Sequence, residues 1–148
     1  MLNFDSLTLA AGESVKSNTN RPVIAIVDDN VSICQAMERL LRLLGMDVDT
    51  FASGQEFIDR FEAMPSFDPD CVILDVHMPG LNGLQVQEHL IRNRRDIPVI
   101  FISAADEVWI REQALASGAV AFLRKPISAD LFIKTVRKVL KGKPAKSP

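Results

Sequence analysis

The sequence predicts an α/β fold: a doubly wound, five-stranded parallel sheet of order 2-1-3-4-5 with helices on both faces. Two observations carry the prediction. Short apolar runs without polar alternation recur along the chain, and a strand of that kind is buried on both sides, the habit of parallel sheets. Between the runs lie segments whose apolar residues repeat at helical spacing, and right-handed crossovers then leave few topologies open.

The first run, Val23-Ile24-Ala25-Ile26-Val27, follows Pro22 and stops at the paired acids Asp28-Asp29. From Ser32 to Leu44 the residues Ile33, Met37, Leu40, Leu41 and Leu44 fall on one helical face, and Gly45 closes that helix as a left-handed cap. Asp47 to Phe51 is a short strand. Ser53-Gly54-Gln55-Glu56 reads as a capping box for a second helix, with Phe57, Ile58 and Phe61 inward and Pro65 beyond its end. The third run, Cys71-Val72-Ile73-Leu74, ends on Asp75 and then a Pro79-Gly80 turn. A third helix covers Leu84 to Arg94. Pro98 introduces Val99-Ile100-Phe101-Ile102, which ends in Ser103. A fourth helix from about Asp106 to Ser117 is stopped by Gly118, and Ala119 to Leu123 forms a fifth strand ending in Arg124-Lys125-Pro126. Ser128 caps a last helix through Leu140.

A chain of 148 residues suits one domain with a core of its own, expected over residues 21–141, with a flexible leader at 1–20 and a flexible tail at 142–148. A formal net charge of −2 lacks the concentrated basic footprint of a nucleic-acid-binding module. Lys134, Arg137, Lys138, Lys141 and Lys143 form the one local basic excess, read as a solvated face of the terminal helix. No apolar stretch is long enough to span a bilayer and no charged-then-apolar leader is present, so the expected location is cytoplasmic. Cys34 and Cys71 lie in apolar surroundings without metal-ligand spacing and read as buried thiols of a reducing compartment.

The plain reading of an aspartate before a turn is a cap, but Asp75 has company. In the predicted strand order the carboxyl ends of strands one, three, four and five bring Asp28, Asp29, Asp75, Ser103 and Lys125 to one crevice, where open α/β sheets bind ligands. Three crowded carboxylates raise one another's pKa unless a cation joins them. Oxygen-only ligands, few in number, suit Mg²⁺, with Mn²⁺ as an alternative, and leave coordination positions for phosphate oxygens. Lys125 adds a point charge and Ser103 a hydroxyl donor. An aspartate between a cation and a lysine is a poor general base with a low pKa, yet it can act as a nucleophile toward phosphorus, because phosphoryl transfer is mostly alignment and charge neutralisation.

The chain resembles the receiver domains of bacterial two-component response regulators, with the flavodoxin-like receiver fold, from about Arg21 to Leu140. The resemblance rests on Asp28-Asp29, on Asp75-Val76-His77-Met78-Pro79-Gly80-Leu81-Asn82-Gly83, on Ser103-Ala104, and on Phe122 ahead of Lys125-Pro126. It implies that Asp75 accepts a phosphoryl group from the phosphohistidine of a sensor histidine kinase or phosphotransferase. It implies a Mg²⁺ site of Asp28, Asp29, Asp75 and the main-chain carbonyl of His77, with Lys125, Ser103 and Ala104 on the phosphate. It also implies a cis Lys125-Pro126 bond and a switch in which Ser103 moves inward and the ring of Phe122 follows. Many receivers carry Thr at the first switch position and Tyr at the second, so here the inward ring gains packing alone.

Output is implied through the face of the fourth helix, fifth strand and fifth helix, with Trp109, Val108 and Arg124 as candidates and a receiver dimer on phosphorylation among the partners. A helix cannot bury Val108, Trp109 and Ile110 together; Trp109 is either an exposed patch beside the last helix or folded back on its own helix. His77 lines the pocket mouth and affects water access, or stands as an exposed bystander; with His89 the only other histidine and no Cys nearby, a zinc site is not expected. A phosphatase of the haloacid dehalogenase type needs a second acid where His77 stands and a cap insertion. A phosphorylation-incompetent binding module would not need the intact acidic set. The segment from Met78 to Gly83 is similar to receivers fused to transcription factors of the LuxR or FixJ type, and residues 141–148 resemble the opening of a linker. Taken as given, the chain is a stand-alone receiver without direct nucleic-acid or membrane contact; as a fragment, its parent is a transcriptional regulator.

Overall fold

Alternate residues of a strand point to opposite faces, and the two faces of this sheet hold separate cores. The computed structural model describes residues 21–105 and 107–142. Strands β1 (Val23–Val27), β2 (Asp47–Phe51), β3 (Cys71–Asp75), β4 (Val99–Ser103) and β5 (Ala121–Arg124) are all parallel and lie in the order β2-β1-β3-β4-β5, as expected. Helices α1 (Val31–Leu43), α2 (Gly54–Ala63), α3 (Gly83–Arg92), α4 (Val108–Ala116) and α5 (Ala129–Gly142) alternate with them.

Ala25, Val27, Val72, Leu74, Val99 and Phe101 face α2, α3 and α4, packing on Phe57, Phe61, Val86, Leu90, Ile110 and Ala114. Their strand neighbours Ile24, Ile26, Cys71, Ile73, Ile100 and Ile102 face the other way, onto Cys34, Met37 and Leu41 of α1 and Phe132 and Val136 of α5. Each such large side chain, fully buried, stabilises the fold by about 1.5–3 kcal/mol. Both cysteines are free and buried in the second core.

Three helices end in the same hydrogen-bonded wrap. Met46 N–H donates to Leu41 O and Gly45 N–H to Arg42 O; Ala119 and Gly118 repeat the pattern on Ala114 and Leu115, and Arg95 and Arg94 on Leu90 and Ile91. In each, the penultimate residue must adopt positive φ, which is easy for Gly45 (85°) and Gly118 (107°) but strained for Arg94 (56°). That wrap ends α3 at Arg92, two residues before the expected Arg94. It also recruits the Ala119 N–H, so β5 starts at Ala121 instead of Ala119. Ser53 caps α2, but Glu56 reaches back to the N–H of Ala52; the reciprocal capping box is at Asn82 and Gln85, opening α3. Helix α5 continues two residues past the expected Leu140. The expectations for the leader at 1–20, the tail beyond Gly142 and a helix start at Asp106 lie outside the described residues. Among the described residues no helix is long and apolar enough to cross a membrane.

Candidate functional site

The strand register sets the site. Asp75 is the last residue of β3 and pairs with Ile102, Val27 pairs with Leu74, and Ser103 pairs with Arg124, so the chain emerges from β1, β3, β4 and β5 at one edge. Asp28 follows β1 directly and is 1% exposed, while Asp75 is 4% exposed and Asp29 reaches solvent. One carboxylate oxygen from each of the three lies within 4.8 Å of the others. Lys125 follows β5, and its Nζ stands 3.0 Å from Asp28 Oδ2 and 3.5 Å from Asp75 Oδ2. The Lys125-Pro126 peptide bond is cis.

Local backbone fixes these side chains. The Asn30 N–H donates to Asp28 Oδ1 at 2.9 Å, while Asn30's own side chain caps α1 through Ile33 N–H. Asp28 Oδ2 is buried and has no hydrogen-bond partner; Lys125 sits near enough to offset its charge but at an angle that makes no hydrogen bond. Burial first, and then the charge of Asp28, push the Asp75 carboxyl up to about 6, against the downward pull of Lys125. The rise is the one expected of crowded carboxylates, and the pull of the lysine alone does not offset it. The ammonium is nearer Asp28, and burial outweighs it. A buried orphan oxygen within a set of hard oxygen donors fits a small divalent cation held by Asp28, Asp29 and Asp75.

Ser103 is buried at the end of β4, yet its hydroxyl is turned to its own loop: it accepts from Ala105 N–H at 3.1 Å and donates to Ala105 O at 3.3 Å. Ala104 follows in a bend. The Ser103 carbonyl accepts the Lys125 N–H at 2.8 Å, which joins the lysine's backbone to β4. Phe122 is half-buried beside Phe101, ring centroids 6.1 Å apart. Val108 and Trp109 are 63% and 61% exposed while Ile110 is 5% exposed, so one of the three is buried, as helical geometry requires. Trp109 is exposed and lines a groove of about 510 Å³ with Leu84, Gln87 and Ile91 of α3, while α4 packs on the sheet through Ile110 and Ala114. Arg124 is exposed at the end of β5.

Three contacts were not foreseen from the sequence. His77 Nε2 lies 3.0 Å from Glu107 Oε1, and the side chain of Glu107, the N-cap residue of α4, makes no capping bond to its own helix. Buried Gln87 donates to Ala114 O at 3.1 Å and ties α3 to α4. Gly83 opens α3 against the back of the site, where an added Cβ would collide with the carbonyl oxygen of Asp75 and the ring of Phe101. Its place in the quoted run from Asp75 to Gly83 was the available signal for it.

A family model, the response regulator receiver domain, matches residues 24–137. The chain belongs to that family. This receiver is 34% identical over 127 residues to the response regulator protein TmoT of Ectopseudomonas mendocina, covering 86% of this chain and 56% of that one. It is 37% identical over 121 residues to the transcriptional regulatory protein TdiR of Thauera aromatica, covering 82% and 52%. The receiver thus spans about half the length of the curated relatives it matches. A solved response regulator receiver protein from Burkholderia phymatum shares 52% identity and a TM-score of 0.74, covering 82% of this chain and 96% of that one.

Proposed function

We propose that this receiver accepts a phosphoryl group on Asp75 from the phosphohistidine of a sensor histidine kinase or phosphotransferase. The observation that carries the reading is the meeting of Asp28, Asp29 and Asp75 with the ammonium of Lys125 at the strand ends. An Asp75 carboxylate oxygen forms the new bond to phosphorus, the phosphorus–nitrogen bond of the donor imidazole breaks, and the released nitrogen keeps the electron pair. Asp28, Asp29 and the carbonyl of His77 would hold Mg²⁺ with Asp75, and Mn²⁺ would suit the same oxygens. When bound, the divalent ion supplies neutralisation of the charge on the carboxylates and the transferring group.

The chain's own groups then respond to the new anion. Lys125 pairs with a phosphoryl oxygen, the main-chain N–H of Ala104 donates to another, and the Ser103 hydroxyl gives up Ala105 O to donate to a third. Phe122 turns toward the space the hydroxyl leaves, repacking against Phe101. The output surface is α4, β5 and α5, with Val108 and Arg124 among the side chains it offers and Trp109 at its α3 edge, and receiver dimerisation follows phosphorylation there. Water later attacks the same phosphorus, the bond from phosphorus to the Asp75 oxygen breaks, and inorganic phosphate leaves Asp75 as the carboxylate. Since the relatives named above are regulators about twice as long, the downstream target is read as a transcriptional output.

Incubation with Mg²⁺ and phosphoramidate or acetyl phosphate, followed by intact mass, tests the reading. One phosphoryl adduct is expected, lost in Asp75→Ala and with EDTA. A folded, Mg²⁺-binding chain that stays unmodified would favour a receiver that works only as a protein-binding module.

A further inference from the structure

Helix α5 carries a residue pattern that its packing does not explain. Asp130, Ile133, Lys134, Arg137, Lys138 and Lys141 fall at helical i, i+3 and i+4 intervals and make one stripe, while Phe132 and Val136 anchor the helix to the sheet. With Leu44 at the end of α1, the stripe lines a groove of about 680 Å³. Four cations face one carboxylate there, in a chain of formal net charge −2. None of the four forms an ion pair with a described residue. The negative end of the helix dipole favours cations in the last turn, which accounts for Lys141 but not for Lys134 or Arg137 further up. Lys134 with Lys138 and Arg137 with Lys141 are like-charge pairs four residues apart, each destabilising the helix by about 0.2–0.5 kcal/mol. An arrangement that repels itself is relieved by an external anion.

The shape narrows the partner. Leu44 and Ile133 are half-buried and give the groove an apolar floor under its cationic rim. A flat anionic bilayer meets the rim without reaching the floor, and a nucleic-acid backbone brings nothing apolar to fill it. An amphipathic helix with carboxylates flanking an apolar row satisfies both parts. We propose that this groove docks an acidic amphipathic helix of a partner protein, its apolar side chains on Leu44 and Ile133 and its carboxylates on Lys134, Arg137, Lys138 and Lys141. This surface is separate from the Trp109 groove and needs no phosphoryl group on Asp75.

The test titrates the isotope-labelled full chain with a synthetic helical peptide carrying Leu on one face and Glu on the flanks, followed by amide NMR shifts. Expected are shifts confined to α5 and the end of α1, binding weakened about tenfold or more (about 1.4 kcal/mol) by Lys134→Glu with Lys138→Glu, and no change in Asp75→Asn. These lysines are exposed, so the charge-reversed chain keeps its fold, which circular dichroism verifies. Ile133→Gln should weaken the same peptide. Equal binding of a control peptide with Gln in place of Leu would overturn the proposal, because charge alone would then suffice. Tighter groove binding of a DNA duplex or of phosphatidylglycerol vesicles would overturn it too.

Discussion

Lys125 stands nearer to Asp28 than to Asp75: its Nζ is 3.0 Å from the first carboxylate and 3.5 Å from the second. The lysine chiefly serves to offset a buried charge on Asp28, whose Oδ2 has no hydrogen bond. Lys125→Met should therefore lower stability by about 3 kcal/mol in EDTA, the usual cost of stripping one partner from a buried ion pair. Added Mg²⁺ should recover part of the loss. Urea unfolding with and without the metal measures both, and an unchanged midpoint in EDTA would refute the role.

Asp75 titrates near 6 in the fold and near 3.8 in the unfolded chain. Between those values the folded state holds a proton that the unfolded chain has released. The stability this contributes is complete below the unfolded value and is lost as pH rises through the folded one, amounting to an order of 1–3 kcal/mol. The difference in urea stability between the wild type and Asp75→Asn, measured in EDTA, should shift against the wild type over that window. A difference that stays flat across the window would contradict the assignment.

Gly83 is where the backbone of α3 meets the back of Asp75, and there is no room for a methyl group against the Asp75 carbonyl. Gly83→Ala should cost about 1–3 kcal/mol, because backbone and not a flexible side chain must yield. The same displacement should slow adduct formation from phosphoramidate. Thermal unfolding and the rate of mass gain are the two measurements.

Arg94 holds φ 56° without the freedom of glycine. Arg94→Gly relieves that strain and should stabilise the chain by about 1 kcal/mol or slightly less, once the added freedom of the unfolded glycine is counted. Equilibrium unfolding decides it; a destabilised variant would show that the Arg94 side chain matters more than its backbone.

Much of this was legible in the residues because the signals were local. Unalternating runs such as Val23 to Val27 mark buried strands, and Asp28, Asp75 and Lys125 each follow such a run, so the strand order alone brought them together. The misses were relationships between elements. The wrap at Arg94 lacks the glycine that revealed its counterparts at Gly45 and Gly118. The pairing of His77 with Glu107 joins positions thirty residues apart, beyond any spacing rule. Trp109 could be read as exposed from helical geometry, but which neighbour it faces depends on how α4 rolls over the sheet on Ile110 and Ala114.

The chain holds a single tryptophan and no tyrosine, and that indole lies in the cleft between α3 and α4. Its ultraviolet emission is therefore an intrinsic optical reporter of one location. Any event that closes or fills that cleft should move the emission toward the blue without a dye, so rearrangement of α4 can be followed in real time on the unlabelled protein.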